Sequence, residues 1–130
     1  HAVGAVNVVV TNPDTQSGTL TNGYTYVTPS PTNQVPSAPQ KVTATSPAKK
    51  TIKVTWQAPA SAGSSPVTSY TATAIQKDTK ERGTCTANGT TFTCTMTGVN
   101  GGKQFDVTVT ATNASGTGSE SSPPVVVTTK

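Results

Sequence analysis

The sequence predicts an all-β protein built from many short strands, and its composition gives the first reasons. Threonine occurs 28 times and valine 16 times, whereas leucine and methionine occur once each. β-branched residues favour strands, because they fit a pleated surface and lose rotamer freedom in helices. The 11 glycines and 10 prolines interrupt the chain every few residues, and no long stretch places apolar side chains at helical spacing. We therefore expect no helix of more than about two turns.

The chain divides into three segments. Residues 1–28 contain two strand-like runs, Ala5–Thr11 and Gly18–Thr28, separated by Asn-Pro-Asp. Residues 29–39 hold four prolines and are predicted to form an extended connector. Residues 40–130 contain seven strand candidates separated by turn signals, which is the number expected of an immunoglobulin-like sandwich of two sheets.

Alternation of apolar and polar residues places the predicted strands around one core. In Thr51–Trp56 every second residue is apolar, which is the period of a half-buried strand. The same alternation elsewhere predicts a core that includes Ile52, Val54, Trp56, Tyr70, Phe105, Val107 and Val109. The seven candidates are Gln40–Thr45, Thr51–Trp56, Val67–Gln76, Gly83–Ala87, Thr91–Thr97, Lys103–Asn113 and Pro124–Thr129.

Cys85 and Cys94 are the two cysteines of the chain, and we expect them to form a disulfide. An even pair in a chain rich in Thr, Ser and Gly is typical of an oxidising compartment, and two buried free thiols are the alternative. If the cysteines face each other across a hairpin, Gly83–Ala87 pairs with Thr91–Thr97 around the loop Asn88–Thr91. A bridge of this spacing fits disulfide geometry and contributes about 2.5–3 kcal/mol.

A set of short motifs is spread over residues 38–129. They are Ser37-Ala38-Pro39, the strand that ends in Trp56, Val67 to Tyr70, Thr97-Gly98-Val99, the run Phe105 to Asn113, Gly116-Thr117-Gly118 and Ser121-Ser122-Pro123. In this set the chain resembles a fibronectin type III domain of the bacterial secreted kind. Such domains usually carry a tyrosine where Phe105 stands, so the hydrogen bond of that tyrosine is not available here. The resemblance implies a seven-stranded sandwich that serves in adhesion, spacing or scaffolding without catalysis.

The first segment carries a second resemblance. Its runs from Val6 to Asp14, from Ser17 to Leu20 and from Gly23 to Tyr26 resemble the last strands of an IPT/TIG immunoglobulin-like domain. Two or three strands alone are marginal in water. Residues 3–28 are therefore either the remnant of a truncated domain or a segment that pairs with a neighbouring subunit by strand addition. The candidate interaction residues are Val6, Val8, Val10, Tyr24 and Tyr26.

Several functional classes find no support in the sequence. The net charge is +4, with Arg82 as the one arginine, so nucleic-acid binding is not expected. No apolar run approaches the length of a membrane span. His1 is the one histidine, which rules against a Ser–His couple and against a copper site that needs two histidines. The acidic residues show no calcium-loop spacing, so no metal or other cofactor is expected. Trp56, Tyr70 and Phe105 are assigned to the core rather than to a sugar-stacking strip.

The sequence thus predicts a non-catalytic, extracellular structural or spacer module of a secreted or surface protein. Its expected partners are other domains or subunits of the same assembly. The alternative is an adhesion module, including one on a phage particle, that binds polysaccharide or a host surface through Ala58–Pro66 or Asn113–Glu120.

The chain starts at His1 without an initiator methionine, so we expect a processed or excised piece. Asn88-Gly89-Thr90 and Asn113-Ala114-Ser115 match the glycosylation acceptor pattern, but are assigned to a turn and a loop.

Overall fold

The computed structural model describes residues 4–11, 17–26 and 33–130, which fall into two units, residues 1–32 and residues 33–130. The first unit contains an antiparallel pair of strands, β1 (Gly4–Thr11) and β2 (Ser17–Tyr26). Val6 lies opposite Tyr24 and Val8 opposite Leu20, with a register shift between them. The side chains of this unit are outside the described part of the structure. The interaction predicted for Val6, Val8, Val10, Tyr24 and Tyr26 therefore stays a prediction.

Residues 33–130 form a sandwich of two antiparallel sheets. The strands are β3 (Gln40–Thr45), β4 (Thr51–Gln57), β5 (Ser69–Gln76), β6 (Arg82–Asn88), β7 (Thr93–Thr97), β8 (Gln104–Asn113), β9 (Gly116–Thr117) and β10 (Val125–Thr128). One sheet has the order β3-β4-β7 and the other the order β10-β8-β5-β6, with the two-residue β9 paired to β8. The described ranges contain no helix. The prediction of an all-β, two-sheet sandwich is confirmed, and β9 is an addition that the sequence did not suggest.

The core lies between the two sheets and is formed by alternate residues of β4, β5 and β8. The seven residues that the alternation assigned to the core are each at most 4% exposed. The Trp56 and Tyr70 rings face each other across the core, with centroids 5.5 Å apart. Phe105 is 2% exposed and fills its position with a ring that carries no hydroxyl. Threonines alternate with these residues along β4, β5 and β8, because the other face of each sheet is turned towards water.

The hairpin predicted from the cysteine spacing is wrong. β6 pairs with β5, where Cys85 lies opposite Ala72, and β7 pairs with β4, where Cys94 lies opposite Val54. The chain crosses from one sheet to the other in the turn after Asn88. A short sequence separation about a turn predicts only that the two cysteines lie close together in space. The outer strands of two facing sheets meet that prediction as well as a hairpin does.

The chain enters the sandwich at one end and leaves it at the other. Near the start, the Gln34 carbonyl accepts a hydrogen bond from Asn113 at the end of β8. At the other end the Lys50 N–H donates to the Lys130 carbonyl at 3.0 Å, beside the start of β4. We call the first end the entrance pole (residues 33–39 with turns 58–68, 89–92 and 113–124). The second is the exit pole (turns 46–50, 77–82 and 98–103 with residues 129–130). β8 has 10 residues, so the two poles are about 33 Å apart.

Candidate functional site

A disulfide joins the two sheets along one lateral side of the sandwich, which we call the stapled side. β6 and β7 are the outer strands of their sheets, and Cys85 and Cys94 link them with Cα atoms 5.9 Å apart. Both cysteines are half-buried against the core. The bridge spans a sequence separation of 9, and closing so short a loop removes about 2.5–3 kcal/mol of chain entropy from the unfolded state. The bridge thus opposes separation of the sheets at the edge where no ladder joins them.

The opposite lateral side, which we call the open side, has no such link among residues 33–130. Its outer strands β3 and β10 both run from the entrance pole to the exit pole. A groove of about 540 Å³ lies between them, lined by residues that include Pro39, Lys41 and Pro123. Lys41 has a φ of 46° at a bulge in β3, and bulges of this kind hinder the pairing of an edge with another chain. β10 is the more regular edge, and Val126 on it is 51% exposed.

The entrance pole is held together by one buried amide. Asn113 is 4% exposed, and its Nδ2 donates to the carbonyls of Gln34 and Ala62, both at 2.8 Å. Its Oδ1 accepts from the Ser115 N–H at 2.8 Å. A single side chain thus fixes the incoming chain, the loop before β5 and the turn after β8. Asn113 was predicted as the last residue of a strand and the first of the following loop, without a role for its side chain, although its position at the end of a buried strand was a signal for one.

Two glycines let the incoming chain lie directly on the sandwich. A Cβ on Gly118 would stand 1.9 Å from the Pro36 carbonyl oxygen, and one on Gly63 would stand 2.2 Å from that of Gln34. Gly63 also has a φ of +79°, which only glycine adopts readily. Ser37 N–H donates to the Ser61 carbonyl at 2.9 Å. Residues 34–37 therefore contact the sandwich closely, while the boundary between linker and domain that we placed at residue 40 stays a prediction.

Polar and charged side chains connect the turns of the exit pole. Gln76, the last residue of β5, is 1% exposed, and its side-chain amide donates to the Asp78 carboxylate. The Gln76 Oε1 accepts from Asn100 Nδ2 at 2.8 Å. Lys103 Nζ donates to Asp78 Oδ2 at 3.1 Å. The hydrogen bond from Gln76, followed by that from Lys103, lowers the pKa of Asp78 from 3.8 to about 2.

Trp56, Tyr70 and Phe105 lie in the core of the sandwich rather than forming a binding strip on its surface. Tyr70 lies between Trp56 and Phe92, with ring centroids 5.5 Å and 5.7 Å away, and burial raises the pKa of its phenol. Phe92 is 41% exposed and is the outermost of the three.

The described ranges contain no cluster of three or more His, Cys, Asp or Glu side chains able to hold a metal ion. Within these ranges, no helix is long and apolar enough to cross a membrane. His1, which the sequence rules out as half of a copper site for want of a second histidine, lies outside the described residues.

The two facing antiparallel sheets, their strand orders and the shared core define an immunoglobulin-like β-sandwich. Residues 37–128 match the family model of the fibronectin type III domain. The chain belongs to the fibronectin type III family, whose members are generally non-catalytic modules. No curated protein matches the chain in sequence.

Solved structures of known proteins share the fold. The FN5 domain of Drosophila Lar is 26% identical with a TM-score of 0.60, and the match covers 73% of this chain and 97% of that domain. The structure of titin kinase and its flanking domains is 24% identical with a TM-score of 0.64, and the match covers 75% of this chain. The twitchin kinase region from C. elegans is 24% identical with a TM-score of 0.63, over 72% of this chain. This chain spans only 18% of the titin chain and 16% of the twitchin chain.

Proposed function

We propose that this chain is a non-catalytic spacer module of a secreted or cell-surface protein, one that holds neighbouring domains apart at a fixed distance. The observation that carries the proposal is that the chain enters and leaves the sandwich at opposite poles. Neighbouring domains attached there would lie about 33 Å apart along the strand axis. The fibronectin type III family membership of residues 37–128 supports this role, because such domains commonly act as structural or binding modules.

The direction of load through the sandwich supports a spacer role as well. β3 and β10 are the first and last strands of the sandwich, and each is joined by a ladder to an inner strand, β4 or β8. Tension applied at the two poles shears these ladders, so that their hydrogen bonds resist together rather than one after another. The disulfide on the stapled side keeps the sheets in contact under the same load. A disulfide in such a chain also supports an oxidising, extracellular location.

Force spectroscopy on the full chain, with handles at both ends, tests the spacer proposal. We expect a distinct unfolding event for residues 33–130. The oxidised chain should extend by about 25 Å less than the Cys85→Ser/Cys94→Ser variant, because the bridge holds 9 residue steps at a Cα separation of 5.9 Å. Gradual extension at low force, without a distinct event in either protein, would contradict the proposal.

The first unit, residues 1–32, is the basis of a second proposal, which concerns how the chain joins its neighbours. We infer that residues 3–28 are the end of an IPT/TIG-like domain of a bacterial protein, and that they pair with a neighbouring subunit by strand addition. The supporting observation is that β1 and β2 pair as a two-stranded ribbon, which alone leaves two unpaired edges.

Sedimentation of the full chain over a range of concentrations tests this pairing. We expect association that rises with concentration and is weakened by Val8→Lys, because a lysine within an edge strand opposes strand addition. Asn7→Lys adds the same charge to the same strand at a position that is already polar; it is the matched control and should weaken association less, because it keeps the alternating valines Val6, Val8 and Val10. If the chain stays monomeric at high concentration and residues 3–28 are protected from proteases, the inference is contradicted.

A further inference from the structure

The cations of the sandwich are concentrated at one pole. All nine lysine and arginine residues lie within residues 41–130. Seven of them belong to the exit pole, namely Lys49, Lys50, Lys77, Lys80, Arg82, Lys103 and Lys130, and all seven are exposed. The entrance pole carries one charged side chain, Glu120. Lysines that are scattered along the sequence are thus gathered by the fold at the end of the strands where three turns meet.

The acidic side chains near the exit pole lie in one half of it, where two of the four cations, Lys77 and Lys103, form ion pairs. Lys77 Nζ lies 3.4 Å from Asp106 Oδ1, and Lys103 Nζ lies 3.1 Å from Asp78 Oδ2. Glu81 accepts a hydrogen bond from Asn100 in the same half. The small cavity at this pole, of about 310 Å³, is lined by the Asp78 carboxylate together with Lys77 and Lys103. An anion in that cavity would meet a negative charge.

The other half of the exit pole holds three lysines without an ion pair among residues 33–130. These are Lys49, Lys50 and Lys130, which we call the lysine patch. Backbone hydrogen bonds hold it in place: the Lys50 N–H donates to the Lys130 carbonyl, and the Lys130 N–H donates to Ser46 Oγ, both at 3.0 Å. Gly101 lies beside the patch, where a Cβ would stand 3.0 Å from the Lys130 carbonyl oxygen. Three exposed lysine side chains therefore project from a backbone that these hydrogen bonds hold at Lys50 and Lys130, next to Gly101.

We propose that the lysine patch binds an acidic polysaccharide, one that carries carboxylate or sulfate groups along its length. Lysine ammonium groups are point charges that attract such anions without the planar geometry that arginine imposes. The patch is a surface feature and not a pocket, which suits a chain of repeating charges better than a single small anion. This binding goes beyond the spacer role and is tested apart from it, since it uses the exposed lysine side chains of the exit pole and not the path of the chain through the sandwich.

Other polyanions and acidic partners fit the patch less well. Single-stranded nucleic acid is bound by cations interleaved with aromatic rings, and protein interfaces centre on buried apolar anchors. The exposed large apolar residues of residues 33–130 are Val35, Phe92 and Val126, none of which belongs to the exit pole. Insertion into a lipid surface needs apolar side chains in the same way. The patch offers charge alone, which suffices for an acidic polysaccharide; duplex DNA, whose phosphates also require only charge, is the competing ligand.

Binding of the full chain to immobilised heparin, polygalacturonate and neutral dextran tests the proposal. We expect binding to heparin or polygalacturonate, weakening as salt is added, and none to dextran. Lys49→Gln/Lys50→Gln should lower the affinity about 30-fold, the loss expected for two lysines at an anionic surface.

Lys41→Gln/Lys53→Gln is the matched control, because it removes the same two charges from β3 and β4 and should lower the affinity by less than about threefold. Equal losses in the two variants would mean that net charge, and not the patch, attracts the polymer, and would overturn the proposal. Absence of binding to both acidic polymers at low salt would also overturn it. So would duplex DNA that binds as tightly and with the same dependence on Lys49 and Lys50. Melting temperatures of the variants establish that each one is folded.

Discussion

The two poles of the sandwich are held together by different forces. At the entrance pole, a buried amide and two close glycine contacts fix the incoming chain, and the one charged side chain is Glu120. At the exit pole, hydrogen bonds between charged and polar side chains join the turns, with Asp78 accepting from both Gln76 and Lys103. Steric contacts are insensitive to pH and salt, whereas exposed charged contacts respond to both. Added side-chain volume should therefore destabilise the entrance pole more, whereas acid and salt should affect the exit pole more.

The largest difference should appear when the same substitution is made at each pole. Gly118→Ala at the entrance pole would place a Cβ 1.9 Å from the Pro36 carbonyl oxygen, so the incoming chain must move. We expect a loss of about 3 kcal/mol in the free energy of unfolding, at the upper end of the range for overpacking. Urea denaturation measures it.

Gly101→Ala is the matched control at the exit pole. There the nearest atom, the Lys130 carbonyl oxygen, would be 3.0 Å from the new Cβ, and a shift of a few tenths of an ångström relieves the contact. The loss should be below about 1 kcal/mol. If the two variants lose equal stability, the entrance pole is not held by the close contact that the structure shows.

A smaller effect should distinguish the exit pole by its response to acid. The pKa of Asp78 is about 2 in the folded protein and near 3.8 without its partners, so the unfolded state binds a proton at higher pH. The stability contributed by this carboxylate is then fully present above about pH 4 and is lost as the pH falls towards 2. The Asp78→Asn variant should not show this loss of stability as the pH falls, because it has no carboxylate at residue 78. Urea midpoints of both proteins between pH 5 and pH 2 measure it, and parallel curves would contradict the assignment.

The strands and the core could be predicted because they depend on local alternation. Ile52, Val54 and Trp56 alternate with polar residues, and alternation fixes which side chains lie between the sheets whatever the order of the strands. The predicted hairpin between the cysteines was wrong, because a short sequence separation predicts that two residues lie close together and does not predict which strands are hydrogen-bonded. β6 and β7 are joined at Cys85 and Cys94, but each has its ladder in a different sheet.

The features of the poles could not be predicted because they are non-local. Lys50 and Lys130 are far apart in sequence, and only the meeting of β4 and the end of the chain brings their backbones together. Asn113 likewise contacts Gln34, a residue 79 positions away. A charge count over the sequence reports neither contact, since it gives the number of lysines and not where the turns place them.

The buried amide of Asn113 has a consequence for the biosynthesis of the protein. Asn113-Ala114-Ser115 matches the pattern at which N-linked sugars are attached, and the sugar is attached to the side-chain nitrogen. In the folded protein that nitrogen donates to two backbone carbonyls and is closed off from any enzyme. A sugar added before folding would block the closing of the entrance pole, whereas a folded chain would be passed over. In a cell that glycosylates nascent chains, the order of these two events would decide which molecules mature.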